Sequence, residues 1–413
     1  MNPAPLRRPS GSGRGRHRTT NDFQKSGITV TFTSADASAA QHPSALHAFA
    51  ARLPKTDLHC HLIGTVRPST FADLARKAQL ELPAEPETIF PRIVSVMKDF
   101  TPYENARIPI IEDHSNDGDG VRYSLFQASD WVMQALISAD DLTRITYEAF
   151  ESAFRDSNTR HLELFIDDVP PALQSLGYSG AVDAYVEGIK MAEREFGMTG
   201  RLIVGIDRSK SGDYAVGRVQ QILDSPNEYV VGIGLDNLET VGPPERFADA
   251  YQLAGSAGLK RTAHSSEHAP VAINTITSLD VLGCDRIDHG YFVMEDDDVI
   301  KRVRDEQVAF TTIFTTSRRS WRPWRRASIK AMVDAGLNVL LASDDPGMFP
   351  TTLNNEYRIA IDDLGLDRQW LRSSALAGAN ASWLPDAEKA ALHASMTSEI
   401  DALEAELFTG ANA

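Results

Sequence analysis

Residues 57–62 read Asp57-Leu58-His59-Cys60-His61-Leu62. In an extended strand alternate residues share a face, so His59 and His61 project to the same side and Cys60 to the other. Two imidazoles at that spacing can bind one metal ion. Gly64 and Pro68 follow and mark a loop. The stretch therefore reads as a strand that carries chemistry on one face and packing on the other.

Seven more short, β-branched or apolar runs follow it: His161–Ile166, Leu202–Ile206, Val230–Leu235, Leu259–Ala263, Arg286–Ile287 with its flanks, Val308–Phe314 and Val339–Ala342. Amphipathic segments such as Pro244–Ala257 and Ala327–Ala335 lie between them and suit crossover helices. Strands alternating with helices imply a parallel sheet. Eight such units imply closure into an α/β (β/α)8 TIM barrel. The first connection breaks the rhythm, at about 100 residues, and two or three helices, including Leu125–Ile137 and Leu142–Asp156, are predicted within it. Long insertions after barrel strands sit on the catalytic face, so this helical insertion after strand 1 should cover the site. Glu112–Gly120 reads as an exposed loop.

Composition narrows the chemistry. Hydrophobic content of 42% and charged content of 24% are those of an ordinary globular chain, with no apolar run long enough to cross a membrane. A net charge of −16 argues against a general nucleic-acid surface. With only Cys60 and Cys284, neither a disulfide framework nor a thiolate metal site can be built. Histidine and carboxylate remain as ligands, and a reducing, cytoplasmic setting is expected. Residues 1–21 differ from the rest, carrying Arg7, Arg8, Arg14, Arg16 and Arg18 and no acid. Such a segment fits an organellar presequence or a disordered basic tail. We read residues 1–45 as tail and 46–413 as the catalytic domain.

The other chemistry-bearing residues fall at strand ends. The fifth run ends in Thr262-Ala263-His264-Ser265-Ser266-Glu267, the sixth in Asp288-His289-Gly290, and the eighth in Ser343-Asp344-Asp345-Pro346. Taken alone, the first and the last of these also read as helix-capping turns. Together they place four of eleven histidines and an acidic pair on the one rim where barrel enzymes work. Three histidines and a carboxylate suit zinc or another divalent transition metal.

In these motifs the chain resembles the adenosine deaminase family of the amidohydrolase superfamily. The resemblance rests on Pro-Lys-x-Asp-Leu-His-Cys-His-Leu at 54–62, His-x-x-Glu at 264–267, Asp-His-Gly at 288–290 and Ser-Asp-Asp-Pro at 343–346, in that order. It implies one Zn2+ per chain, held by His59, His61, His264 and Asp344. It implies that Glu267 protonates the purine N1, that His289 orients and deprotonates the attacking water, and that Asp345 bonds N7. The implied reaction is hydrolytic removal of the 6-amino group of an adenine-type purine, a small-molecule partner, with neither nucleic acid nor membrane involved and a homo-oligomer left open. Arg160–Phe165, Gly232–Asp236 with Glu239, and Pro243–Phe247 lean towards the adenine-deaminase-like branch. Substrate contacts are then expected from Asp345, Gly64, Ile63, Phe165 and Asp236.

Two features depart from the family pattern. Isoleucine stands at 63, where relatives carry a carboxylate that meets the sugar or the far side of the purine. Residues 314–317 read Phe-Thr-Thr-Ser in place of a Cys-Pro-x-Ser-Asn motif, followed by five arginines and two tryptophans in residues 318–326. Either Arg318 and Arg319 meet an anionic or large aromatic substrate group, or the segment is an exposed loop paired with the acidic surface or a second subunit. Two other readings stand beside the deaminase: a superfamily hydrolase acting on another aminated heterocycle, and a degenerate relative that only binds a nucleoside. A cytidine-deaminase type of site is excluded, because its cysteine pair is absent.

Overall fold

Eight parallel strands, taken in chain order, form one sheet in which every strand neighbours the next. They are β1 (Lys55–His61), β2 (Thr159–Ile166), β3 (Thr199–Asp207), β4 (Val230–Asp236), β5 (Lys260–Ser265), β6 (Ile287–His289), β7 (Ala309–Thr312) and β8 (Asn338–Leu341). The computed structural model describes residues 44–95, 106–108, 120–316 and 321–408. Residues 112–119 of the expected loop, nearly all of the basic segment 1–45, and Arg318 and Arg319 lie outside the described residues.

The sheet closes where the chain leaves β8. The Asp344 N–H donates to the His59 carbonyl at 3.0 Å, and the Asp344 carbonyl accepts from the His61 N–H at 2.8 Å. This bridge between Cys60 and Asp344 joins the last strand's extension to the first strand. All eight expected strands are present, and the barrel expected from the alternation is the architecture found.

Strand alternation partitions the side chains. On β2, Leu162, Leu164 and Ile166 pack outward into the core under the helices. Phe165 belongs to a separate interior cluster with Ile203 and Trp383, and His161 bonds Glu163 inside the barrel at 3.2 Å. Each fully buried Leu or Ile contributes roughly 1.5–3 kcal/mol, so the outer layer carries most of the stabilisation. On β4 a Cβ at Gly234 would overlap the Phe165 ring, so glycine there makes room for that ring.

The long first connection contains the helices Pro68–Lys77, Leu125–Ala135 and Ala139–Ser157, with a short parallel strand pair at Ile93–Ser95 and Tyr123–Ser124. Helix Leu125–Ala135 starts in a capping box. The Ser124 side chain takes the Gln127 N–H, and the Gln127 side chain takes the Ser124 N–H. Its residues Leu125, Phe126, Ser129, Asp130 and Met133 line the cavity over the barrel mouth. The insertion thus covers the site as its length and position led one to expect. Three helices, Leu353–Asp362, Arg368–Ala381 and Asp386–Phe408, follow β8. No described helix is long and apolar enough to cross a membrane.

Candidate active site

His59 and His61 end β1 on its inner face, His264 lies near the end of β5, and Asp344 sits at the closing bridge. Asp344 adopts a left-handed backbone (φ 60°), as does His289 at the end of β6 (φ 71°). Non-glycine residues in that region cost of order 1 kcal/mol each and recur where function dictates side-chain direction.

Nε2 of His264 lies 3.2 Å from Nε2 of His59 and 3.1 Å from Nε2 of His61. Oδ1 of Asp344 lies 3.5 Å from both the His59 and the His61 Nε2 atoms. These separations match the edge, about 3.3 Å, of a tetrahedron whose metal–ligand arms are about 2.0–2.1 Å. The four donor atoms all fall within 4.8 Å of one another.

The surrounding bonds prepare the same set. The Thr311 hydroxyl donates to Asp288 at 2.8 Å, so its oxygen accepts from Nδ1 of His59 at 3.1 Å and leaves the His59 Nε2 lone pair facing inward. Asp288 also accepts from the Thr262 hydroxyl at 2.9 Å and stands 3.6 Å from Nδ1 of His264. Burial, with neighbouring histidines adding to it, holds His59 and His264 well below the usual imidazole range, as neutral ligands. Burial and then the Asp345 carboxylate push Asp344 well above the usual carboxylate range. Neutral imidazoles facing a buried carboxylate fit a divalent metal ion.

Glu267 lies beside this centre and is 4% exposed. Its Oε2 is 2.9 Å from Nδ1 of His268 and 3.3 Å from Nε2 of His289, and its Oε1 accepts from Arg325 at 3.2 Å. Burial pushes Glu267 up, but His268, His289 and Arg325 outweigh it and hold the carboxyl well below its usual range. The loop carrying Glu267 hangs from Glu239, whose carboxylate accepts the N–H groups of Ser266 (2.7 Å), Glu267 (2.9 Å) and His268 (3.1 Å).

A cavity of about 440 Å³ opens over these residues and is lined by His61, His264, Glu267, His289, Asp344 and Asp345. Ile63 and Asp236 line it as well, beside Asp167, which sequence reasoning missed. The other expected substrate contacts are placed differently. Gly64 is buried against Asp345, and a Cβ there would come within 2.7 Å of the Asp345 Cα, so it lets Asp345 approach. Phe165 is fully buried, with its ring centroid 4.8 Å from that of His61. It supports the histidines from behind and does not line the cavity.

Glu163 pairs with Arg286 at 2.6 Å in the barrel interior, and Arg208 donates to the His264 carbonyl at 2.7 Å. Both brace the site from beneath. The expectation of an exposed arginine loop fails for residues 321–326. Trp321 and Trp324 are buried, and Arg322 opens the helix Arg322–Asp334. Arg325 is turned into the site, and Arg326 pairs with Asp363 at 2.9 Å. Charge density in the sequence says nothing about which guanidinium turns inward, so Arg325, Tyr291 and the anchoring role of Glu239 went unread.

Comparison with known proteins agrees with this geometry. The chain is 28% identical over 341 residues to an adenine deaminase of Cupriavidus metallidurans, spanning 82% of this chain and 89% of that protein. An amidohydrolase from Burkholderia ambifaria, solved with bound zinc, superposes with a TM-score of 0.76 at 30% identity, covering 90% of this chain and 97% of that one. An adenine deaminase from Arthrobacter aurescens superposes at 0.70 and 28% identity, covering 84% and 99%. The family model for adenosine deaminase matches residues 54–399, the stretch that runs from β1 into the last helix. This chain belongs to the adenosine deaminase family.

Proposed function

We propose that the protein is a zinc-dependent hydrolase that replaces the 6-amino group of an adenine-type purine with oxygen and releases ammonia. The observation that carries this reading is the convergence of three imidazoles and the Asp344 carboxylate, their donor atoms within 4.8 Å of one another, on the rim of a cavity that Glu267, His289 and Asp345 also face. His59, His61, His264 and Asp344 would hold one ion. When bound, the metal acts as a Lewis acid and makes hydroxide available near neutral pH.

The chain's own residues do the rest. Carbon 6 of an aminopurine becomes electrophilic only when N1 gains a proton, and Glu267 is the carboxylate placed to take up a proton and pass it to N1. His289 stands where an oxygen added at that carbon would develop charge, and it orients and stabilises that oxygen. Burial pushes Asp345 up to about 6, which brings within reach the protonated carboxyl needed to donate to N7. The Leu125–Ala135 helix excludes water from above.

The lining supports an uncharged purine over a nucleotide. Asp130, Asp167, Asp168, Asp207 and Asp236 face the cavity beyond the metal ligands, with Lys210 as the lone lysine or arginine among the described lining residues. Lys210 itself lies 3.8 Å from Asp207. A phosphate dianion in such a field is repelled rather than bound. Ile63 offers no acceptor to a ribose hydroxyl, which favours the free base.

Ammonia release by zinc-loaded protein over adenine, adenosine, AMP and N6-methyl-AMP tests the reading, with Glu267→Gln as the blank. Turnover of adenine, lost in the variant, is expected. Silence across the panel with metal bound overturns the purine assignment, and AMP preferred to adenine overturns the uncharged-substrate assignment.

A further inference from the structure

We propose that Arg325 is a positioning residue of the active site: it grips Glu267 by one carboxylate oxygen and, through the Tyr291 hydroxyl, sets the tautomer of His289. The inference rests on the deaminase reading for its kinetic consequence, but not for its geometry.

Arg325 comes from the first turns of the Arg322–Asp334 helix and is 1% exposed. Nη1 donates to the Thr316 carbonyl at 2.7 Å and to the Tyr291 hydroxyl at 3.2 Å, while Nη2 donates to Oε1 of Glu267 at 3.2 Å. The guanidinium also lies over the Tyr291 ring, 4.2 Å from its centroid. Three fixed acceptors and a ring face leave the fork one orientation.

The hydroxyl of Tyr291 has one proton and two lone pairs. Arg325 and the Ile313 amide (3.1 Å) can only donate, and together they fill both lone pairs. The hydroxyl proton goes to the Ile313 carbonyl or to Nδ1 of His289, each at 3.1 Å. With either choice the oxygen has no lone pair left for an Nδ1–H of His289. The ring therefore carries its proton on Nε2, which lies 3.3 Å from Oε2 of Glu267.

The consequence is directional. His289 presents an N–H to the cavity and acts as a donor to developing negative charge, while Glu267, held at Oε1, keeps Oε2 fixed in the same plane. Without Arg325 one lone pair of Tyr291 is freed, and the Nδ1–H tautomer becomes available. The bare Nε2 then faces a carboxylate, and the two groups repel. Arg325 does not line the cavity, so substrate binding should change little.

The test compares Arg325→Ala, Arg325→Lys and Tyr291→Phe with the parent protein, all zinc-loaded and checked for equal metal content. Arg325→Ala should lower kcat for adenine by about 100-fold with KM within about threefold, the loss typical of a misplaced catalytic group. Added guanidinium ion should restore much of that kcat. Arg325→Lys should not substitute for arginine, because a point charge cannot span the three acceptors. Tyr291→Phe should lower kcat without rescue by guanidinium.

In histidine-15N-labelled protein, Nδ1 of His289, assigned by its loss in His289→Asn, should show the unprotonated shift in the parent and a protonated or averaged shift in Arg325→Ala. A kcat within threefold of the parent, a rise confined to KM, or failure of guanidinium to rescue a folded, metal-loaded Arg325→Ala each overturns the proposal. If Arg325→Ala does not fold, unchanged kcat and unchanged His289 shifts in Tyr291→Phe overturn it. A parent protein silent on every aminopurine defeats the deaminase reading, and the His289 shifts then decide the positioning claim alone.

Discussion

Asp344 is joined to His59 twice, once through the backbone that closes the barrel, N–H to carbonyl at 3.0 Å, and once through its carboxylate, 3.5 Å from the His59 Nε2 atom. Closure of the fold and assembly of the metal ligands are therefore one event. Removing the ion should loosen the seam between β1 and β8. Chelation is expected to lower the melting temperature, by the equivalent of roughly 3–4 kcal/mol for metal at 100 to 1,000 times Kd. Asp344→Asn should make melting insensitive to chelator. Identical melting curves with and without chelator for the parent protein would contradict this.

The ion pair between Glu163 and Arg286 gives a pH dependence of stability. Burial pushes Glu163 up, but Arg286 and His161 outweigh it and bring the carboxyl down to about 2. That lies below its value of about 4.3 in an unfolded chain. Its contribution, about 3 kcal/mol, is thus present in full above about pH 5 and is lost as pH falls towards 2. Arg286→Met strands a buried carboxylate and should cost about 3–5 kcal/mol at pH 7. Urea titrations at several pH values check both, and stability flat between pH 5 and pH 3 speaks against the pairing.

Gly64→Ala tests how closely Asp345 must approach. The added methyl would come within 2.7 Å of the Asp345 Cα, which sits in backbone with no flexible tip to yield. A displacement of about 1 Å should cost on the order of 100-fold in kcat/KM. Full activity in a folded variant would show that Asp345 does not need its present position.

Glu239→Ala removes the acceptor of three buried amides, those of Ser266, Glu267 and His268. Each orphaned donor costs about 1–3 kcal/mol, so a marked drop in melting temperature is expected. Because these amides carry the Glu267 loop, kcat should fall along with stability. Loss of stability with kcat unchanged would separate Glu239 from catalysis.

Much of the site was legible because it obeys local geometry. His59 and His61 share a face through the two-residue period of a strand, and His264, His289 and Asp344 mark strand ends that alternation had already located. The family resemblance named their partners in the order the structure displays. Phe165 went astray for the same reason. Its position on β2 puts it inside the barrel, but the period does not tell a cavity wall from a ring packed behind His61.

The sequence by itself determined the strand count, the rim on which chemistry gathers, and a ligand set limited to histidine and carboxylate by the scarcity of cysteine. Only the tertiary structure decided that Arg325 turns inward to Glu267 while Arg326 turns to Asp363, that Glu239 suspends the catalytic loop, and that Asp167 and Asp236 line one acidic wall. Strand period and ligand chemistry act over a few residues and leave a pattern in the chain. The direction of a buried arginine is set by acceptors far away along the chain, whose places exist only once the barrel has closed.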